Sequence, residues 1–274
     1  MPKEMSITRR WVLIFFIAGL FLTTGCVSTG QKSTKPSVIA PDINILRVGV
    51  TPNAPPLIFK QGNGIVGLEA DFAREFSKYL DKTPRFVELK WEDQIPALLE
   101  NRIDIIMSGM TRTTLREVRI AFTSRYLESG QTALIRRKDA ARFSTGIFSL
   151  ATSSAIGVIE NTFGEYFVDQ RYSSIEKKTF LSPQAAVEAV IEKKIDMFIY
   201  DAPMVLYLAS ENETQGLTWL GALLTIENLA WGVRKDNTDL LNSANSFLQD
   251  PNNEKMLKKM TQYWIPYARE KVIP

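Results

Sequence analysis

Strand-like and helix-like segments alternate along this chain from Leu46 to Tyr263, and that alternation restricts its fold more than any other feature. Leu46–Val50 reads as a strand, and Leu68, Phe72, Phe76 and Leu80 recur on one face of a helix. Phe86–Leu89 is strand-like and Gln94–Leu99 helix-like, while Ala155–Ile159 and Met197–Tyr200 are further strand candidates. Between those two, Ser182 is an N-cap and Pro183 fills the first helical position of a helix running to Ile191. Helices over Asp236–Leu248 and Asn253–Tyr263 end the pattern. Such alternation predicts an α/β architecture with mostly parallel sheets. Roughly 230 residues are available after the N-terminal stretch, enough for two modest domains or one large one. In parallel sheets ligands bind beyond the carboxyl ends of strands, where Ser108-Gly109, Glu160-Asn161 and Asp201 fall.

The segment Ser108-Gly-Met-Thr-Arg-Thr-Thr-Leu-Arg116 carries the most chemistry. It follows an apolar strand-like run, Ile103–Met107, and opens a helix-like stretch, Thr113–Arg119. A turn at Ser108-Gly109 frees backbone groups at the strand's end, and the spacing of Thr111 and Arg116 lets a hydroxyl and a guanidinium converge on one ligand. Arginine suits a carboxylate because its planar fork makes two parallel charge-assisted hydrogen bonds. An alternative stands beside this one: a solvated arginine on a surface helix.

At the N-terminus Lys3, Arg9 and Arg10 precede an apolar run, Trp11–Leu22, then Thr23-Thr-Gly-Cys26. A charged region, an apolar run too short to span a bilayer comfortably and a small-residue cleavage site describe a signal peptide over residues 1–25. Cys26 is the only cysteine of 274 residues, so it forms no disulfide within the chain. It stands where a bacterial lipoprotein carries its acylated cysteine, although Thr23 occupies a position where leucine is usual. An uncleaved membrane anchor is the other reading. Residues 26–43, rich in Ser, Thr, Lys and Pro, read as a flexible tether. Without residues 1–25 the 33 basic and 30 acidic side chains fall to 30 against 29, a near-neutral surface that gives nucleic acid no basic face. With no histidine and one terminal cysteine, imidazole and thiolate metal sites and a Ser-His-Asp triad are excluded. No cofactor is called for.

Taken together, several motifs resemble extracellular solute-binding protein family 3. They are Leu46–Val50, Gly67-Leu-Glu-Ala-Asp71, Trp91 before Ile95–Leu98, Ser108–Thr111 with Arg116, Phe122–Tyr126, Ile156–Val158 through Asn161-Thr162, and Tyr200-Asp-Ala-Pro203. The resemblance implies the type II periplasmic binding protein fold, two α/β lobes joined by two crossover strands with a ligand cleft between them. It divides the chain into lobe 1 (residues 44–133 and 228–274) and lobe 2 (134–227). Arg116, helped by Thr111 and the backbone N–H of Thr162, would hold an α-carboxylate. Asp201 would take the α-ammonium, assisted by the carbonyl of Gly109 and the hydroxyl of Thr111, with Ser108, Thr51 and Tyr200 completing the ligand-binding set. Asp201 also suits the N-cap of the helix after it, and Trp91 stacks on the ligand side chain, covers a cation or belongs to the core. Glu69 and Asp71 read as structural residues at a helix start.

Departures from the family pattern bear on specificity. Thr51 stands where an acidic or other polar residue is common, Ala54 where an aromatic is common, and Ile159 near a position polar in some relatives. Asn161 replaces a glycine in a turn needing positive φ, which asparagine tolerates, and Phe163 replaces a small residue. None of these offers a carboxylate to a basic ligand side chain, so a neutral amino acid is expected. The implied protein is a monomeric, lipid-anchored extracytoplasmic receptor, in the periplasm or at the cell surface, delivering an α-amino acid to the permease of an ABC transporter. Two other functions fit the scaffold. One is a cyclohexadienyl dehydratase, for which Glu128 and Glu160 are the cleft-rim acids; the other is a ligand-sensing signalling module.

Overall fold

The computed structural model describes residues 43–143 and 154–266; Cys26, the expected signal peptide and the expected tether up to residue 42 lie outside the described residues. Two five-stranded sheets organise the chain. The first runs Thr83–Glu88, Ile45–Val50, Ile105–Ile106, Gly232–Val233, Ala121–Phe122, and the second runs Glu176–Phe180, Ala155–Ile159, Met197–Asp201, Gln131–Arg136, Leu217–Trp219. In each sheet the first three strands are parallel and the fourth runs antiparallel to the third. The predicted α/β architecture is therefore present twice, but the pairing is not mostly parallel as expected. Each sheet has two parallel and two antiparallel pairings, because Gly232–Val233 and Gln131–Arg136, which follow the crossings, run against both of their neighbours.

The parallel strands need crossover helices, and the sequence supplies them with their caps. Leu68–Tyr79 buries Leu68, Phe72 and Phe76, three of the four residues of the predicted face, while Leu80 is its half-buried C-cap. Gln94–Leu99 and Pro183–Ile191 fall where periodicity puts them, the latter with the Ser182 hydroxyl accepting from the Ala185 N–H at 3.3 Å. The C-terminal helices are Thr238–Gln249 and Pro251–Trp264.

Two elements are shorter than their sequence patterns. The apolar run Ile103–Met107 keeps only Ile105–Ile106 as strand; beside it the Asp104 N–H donates to the Arg47 carbonyl of the neighbouring strand, and the Asp104 carboxylate accepts from the Arg47 backbone N–H and pairs with the Arg47 guanidinium. The helix expected over Thr113–Arg119 is one turn, Thr114–Glu117, capped by the Thr113 hydroxyl. Leu115 and Val118 on it are 72% and 71% exposed, so no apolar face anchors a longer helix.

The chain passes between the sheets twice. Leu127–Ser129 leads from the first sheet into Gln131–Arg136, and Glu227–Leu229 leads back; the two segments pair antiparallel, with Glu227 opposite Ser129. The crossing is tight: a Cβ on Gly130 would lie 2.0 Å from the Thr225 carbonyl oxygen, so only glycine fits. Trp231, fully buried beside Phe72, Phe76 and Phe247, fills the first core immediately after the return strand. The second sheet has its own cores, around Phe198 and Val205 on one side and Ile156 and Val168 on the other.

Candidate functional site

A cavity of about 450 Å³ is lined from both sheets. Every ligand-binding residue named from the sequence reaches it: Thr51, Trp91, Ser108, Gly109, Thr111 and Arg116 from the first sheet's loops, and Thr162, Tyr200 and Asp201 from the second's. So do Ala54, Ile159, Asn161 and Phe163, the positions that depart from the family pattern.

The floor is the turn after Ile105–Ile106. Gly109 sits at φ +69°, a left-handed conformation that glycine adopts freely. Its N–H donates to Glu69 Oε1 at 2.7 Å, and the Tyr126 hydroxyl donates to the same oxygen. Burial, partly offset by those two donors, pushes the Glu69 carboxyl up to about 7. Ser108 Oγ accepts from the Thr51 N–H at 2.8 Å, while the Thr51 hydroxyl donates to the Leu89 carbonyl and accepts from Gln94. Thr51 is thus held by its neighbours at the cavity edge. The segment after the turn runs beside the return strand: Ala230 N–H donates to Met110 O, and Arg112 N–H to Asn228 O. That alignment places Thr111 against Glu227.

Arg116 is fixed from two sides. Its Nη1 donates to the Thr111 carbonyl at 2.7 Å, and its guanidinium lies 5.3 Å from the Trp91 ring centroid. Burial lowers its pKa, and Asp201 and Glu227 oppose that effect. The arginine is therefore half-buried above an aromatic ring, not a freely solvated side chain. Trp91 itself is half-buried against the Leu98–Ile103 core, and its Nε1–H donates to the Asn161 carbonyl at 2.9 Å. Asn161 has the positive φ expected of it, +60°.

From the second sheet, Asp201 ends its strand and occupies the N-cap position of Ala202–Glu211, yet its side chain makes no capping bond. Instead its Oδ1 accepts from Gln131 Nε2 at 2.6 Å. Burial first, then the nearby Glu227 carboxylate, push Asp201 up to about 7, while Gln131 and Arg116 pull the other way. Thr162 caps the helix Phe163–Arg171, and its hydroxyl donates to the Ile159 carbonyl. Tyr200 stacks on Phe198, and burial raises its hydroxyl's pKa. Of the two acids considered for catalysis, Glu160 is exposed on the cavity lining, and Glu128 is held in an ion pair by Arg125.

Beyond the residues named from the sequence, Leu57 and Glu92 also line the cavity, and behind it Gln131, Thr225 and Glu227 escaped the sequence reading. Glu227 had a signal, since it is the only charged side chain between Gly216 and Val233. Gln131 and Thr225 had none, as their part depends on the crossing of two distant segments.

Two sheets with matching strand order, two crossing strands and a cavity lined from both are the architecture of the type II periplasmic binding protein fold. Residues 46–267 match the family model of the bacterial extracellular solute-binding proteins, family 3, and the chain belongs to that family. Its relatives are amino-acid-binding proteins of ABC transporters. The L-cystine-binding protein TcyJ of Escherichia coli is 24% identical over 222 residues, 80% of this chain and 82% of that protein. A binding component of an ABC transporter from Wolinella succinogenes, complexed with lysine, superposes with a TM-score of 0.77 at 27% identity, covering 83% of this chain and 100% of that one. The ancestral amino acid-binding protein AncCDT-1, described as a precursor of cyclohexadienyl dehydratase, gives 0.74 at 27% identity over 81% and 95%. These relatives are binding proteins, including the one on the dehydratase lineage. No helix among the described residues is long and apolar enough to cross a membrane.

Proposed function

We propose that this protein captures a zwitterionic α-amino acid between its two sheets and, tethered through a lipid on Cys26, presents it to an ABC permease. The observation that carries this reading is the placement of Arg116 and Asp201, from different sheets, on one cavity with Thr111 beside them. Arg116 takes the α-carboxylate with the Thr162 N–H. Asp201 takes the α-ammonium with the Gly109 carbonyl and the Thr111 hydroxyl. A ligand held by both sheets stabilises the closed arrangement, the form a permease recognises. In this reading lobe 1 comprises residues 44–133 and 228–274, lobe 2 comprises 134–227, and the protein acts as a monomer.

The ligand side chain is neutral in our reading, because Thr51, Ala54, Leu57, Ile159 and Phe163 form its uncharged surroundings. A second reading rests on Glu92 and Glu160, exposed on the same lining. A long basic side chain reaching the mouth would find them there, and the lysine complex of the Wolinella relative is in keeping with it.

The test is a thermal-shift and calorimetric panel of the L-amino acids and L-cystine on protein stripped of ligand by unfolding and refolding. A ligand confined to the native state raises its stability by about 2.7 kcal/mol at 100-fold over its dissociation constant. Response to neutral amino acids supports the first reading, tighter binding of arginine or lysine the second, and no response to any α-amino acid removes both. Membrane fractionation of wild type against Cys26→Ser reports on the anchor.

A further inference from the structure

Glu227 lies on the return strand between the sheets and is 5% exposed. Its Oε2 accepts from the Thr111 hydroxyl at 2.7 Å and its Oε1 from the Thr225 hydroxyl at 2.5 Å. Each hydroxyl has a single proton to give. Thr111 spends its proton on Glu227, so toward the cavity its oxygen offers lone pairs alone. It can accept from an ammonium there and cannot donate to a carboxylate.

The chain of bonds continues to the other sheet. Thr225 Oγ1 accepts from the Gln131 backbone N–H at 2.7 Å, and the Gln131 side chain donates to Asp201. Thr111 on the first sheet's side and Asp201 on the second's are thus linked through Glu227, Thr225 and Gln131, all at the crossing.

We infer that Glu227 is a positioning residue for the ammonium half of the ligand site, fixing Thr111 as an acceptor. This rests on the amino-acid reading above. It assigns Thr111 to the ammonium alone, where the sequence motif left it shared between both ends of the ligand.

The experiment compares Glu227→Gln with wild type by calorimetry. The probes are the panel amino acids that wild type binds, each paired with the same acid lacking its α-amino group. Glutamine can accept from only one of the two hydroxyls and carries no charge. We expect amino-acid affinity to fall about tenfold or more, the scale of one charge-assisted bond, while the des-amino acids change less than about twofold. In a Thr111→Val background the effect of Glu227→Gln on that ratio should largely vanish, since residues acting through one another are not additive. Equal losses for both acids would reduce Glu227 to a structural brace, and an undiminished effect in Thr111→Val would show that it does not act through Thr111; either result overturns the inference. Should Glu227→Gln not fold, Glu227→Asp draws the carboxylate back by one methylene and the same ratio is read. Wild type that binds no α-amino acid would instead bring down the reading beneath it.

Discussion

The indole N–H of Trp91 donates to the backbone carbonyl of Asn161 at 2.9 Å, joining a loop of the first sheet to a loop of the second across the cavity. Asn161 can present that carbonyl because it holds φ +60°, and the ring's face is occupied by the Arg116 guanidinium. One side chain therefore touches the opposite lobe and the arginine we propose as the ligand's anchor together.

Trp91→Phe keeps the ring and deletes the N–H. A single hydrogen bond contributes about 1 kcal/mol net, so ligand dissociation measured by stopped flow should speed up several-fold with association little changed. An unchanged dissociation rate would mean that the contact does not hold the cleft shut.

Arg116→Ala should lower amino-acid affinity by about a hundredfold or more, because a buried carboxylate would lose its partner. Arg116→Lys should recover little of it, since an ammonium lacks the planar fork. Calorimetry gives the affinities, and circular dichroism checks that both variants fold; retained affinity in the alanine variant would remove the assignment.

Asp201→Asn should weaken α-amino acids far more than the matching des-amino acids. The side chain accepts from Gln131 and makes no capping bond to its helix, so the variant should melt close to wild type. Equal losses for the two ligand types would reduce Asp201 to a structural residue.

With Asp201 raised to about 7 in the empty cavity, its carboxyl is protonated below that pH and offers no charge to an ammonium. Affinity should rise with pH and level off above neutrality, with binding about tenfold weaker at pH 6 than at pH 8. The dependence should flatten in Asp201→Asn. Titration by calorimetry across that range decides it, and a flat wild-type profile would contradict the assignment.

Glu69 makes a prediction about stability. Its folded value is raised from 4.5 to about 7, so the native state binds this proton more readily than the unfolded chain. The associated stability is fully present below the unfolded value and is lost as pH rises through the folded one, about 3 kcal/mol at most. Glu69→Gln removes the charge as protonation does, at the cost of leaving its amide N–H donors where Oε2 has no hydrogen-bond partner among the described residues. Urea unfolding at pH 5 and pH 8 should show a smaller loss in the variant than in wild type; identical slopes would refute it.

The parts of this structure that repeat locally could be read from the sequence. Leu68, Phe72 and Phe76 declare their helix, Ser182-Pro183 declares another's start, and Asn161 signals a turn through its tolerance of positive φ. Cavity-lining residues were legible through a family motif, in which Arg116 and Asp201 keep their order along the chain. Extents were less legible: at the edge of its short strand Asp104 is tied by its carboxylate to Arg47, 57 residues away, and the turn at Thr114–Glu117 lacks the apolar face that would lengthen it. Gln131 and Thr225 lie 94 residues apart. Only the crossing of the two segments brings them together behind Asp201.

The strand Gly232–Val233 lies inside the first sheet, between Ile105–Ile106 and Ala121–Phe122, and this sets an order in time. The second sheet draws all its strands from residues 131–219 and can close as soon as that stretch is available. The first sheet, although it begins the chain, stays split until the far side of its partner has been made. Its apolar surface around Phe72 and Phe76 then waits for Trp231 and, later still, for Phe247, which packs on both Phe76 and Trp231. A chain halted before Trp231 would hold one finished lobe and one open, sticky half, a species suited to a holding chaperone or a protease.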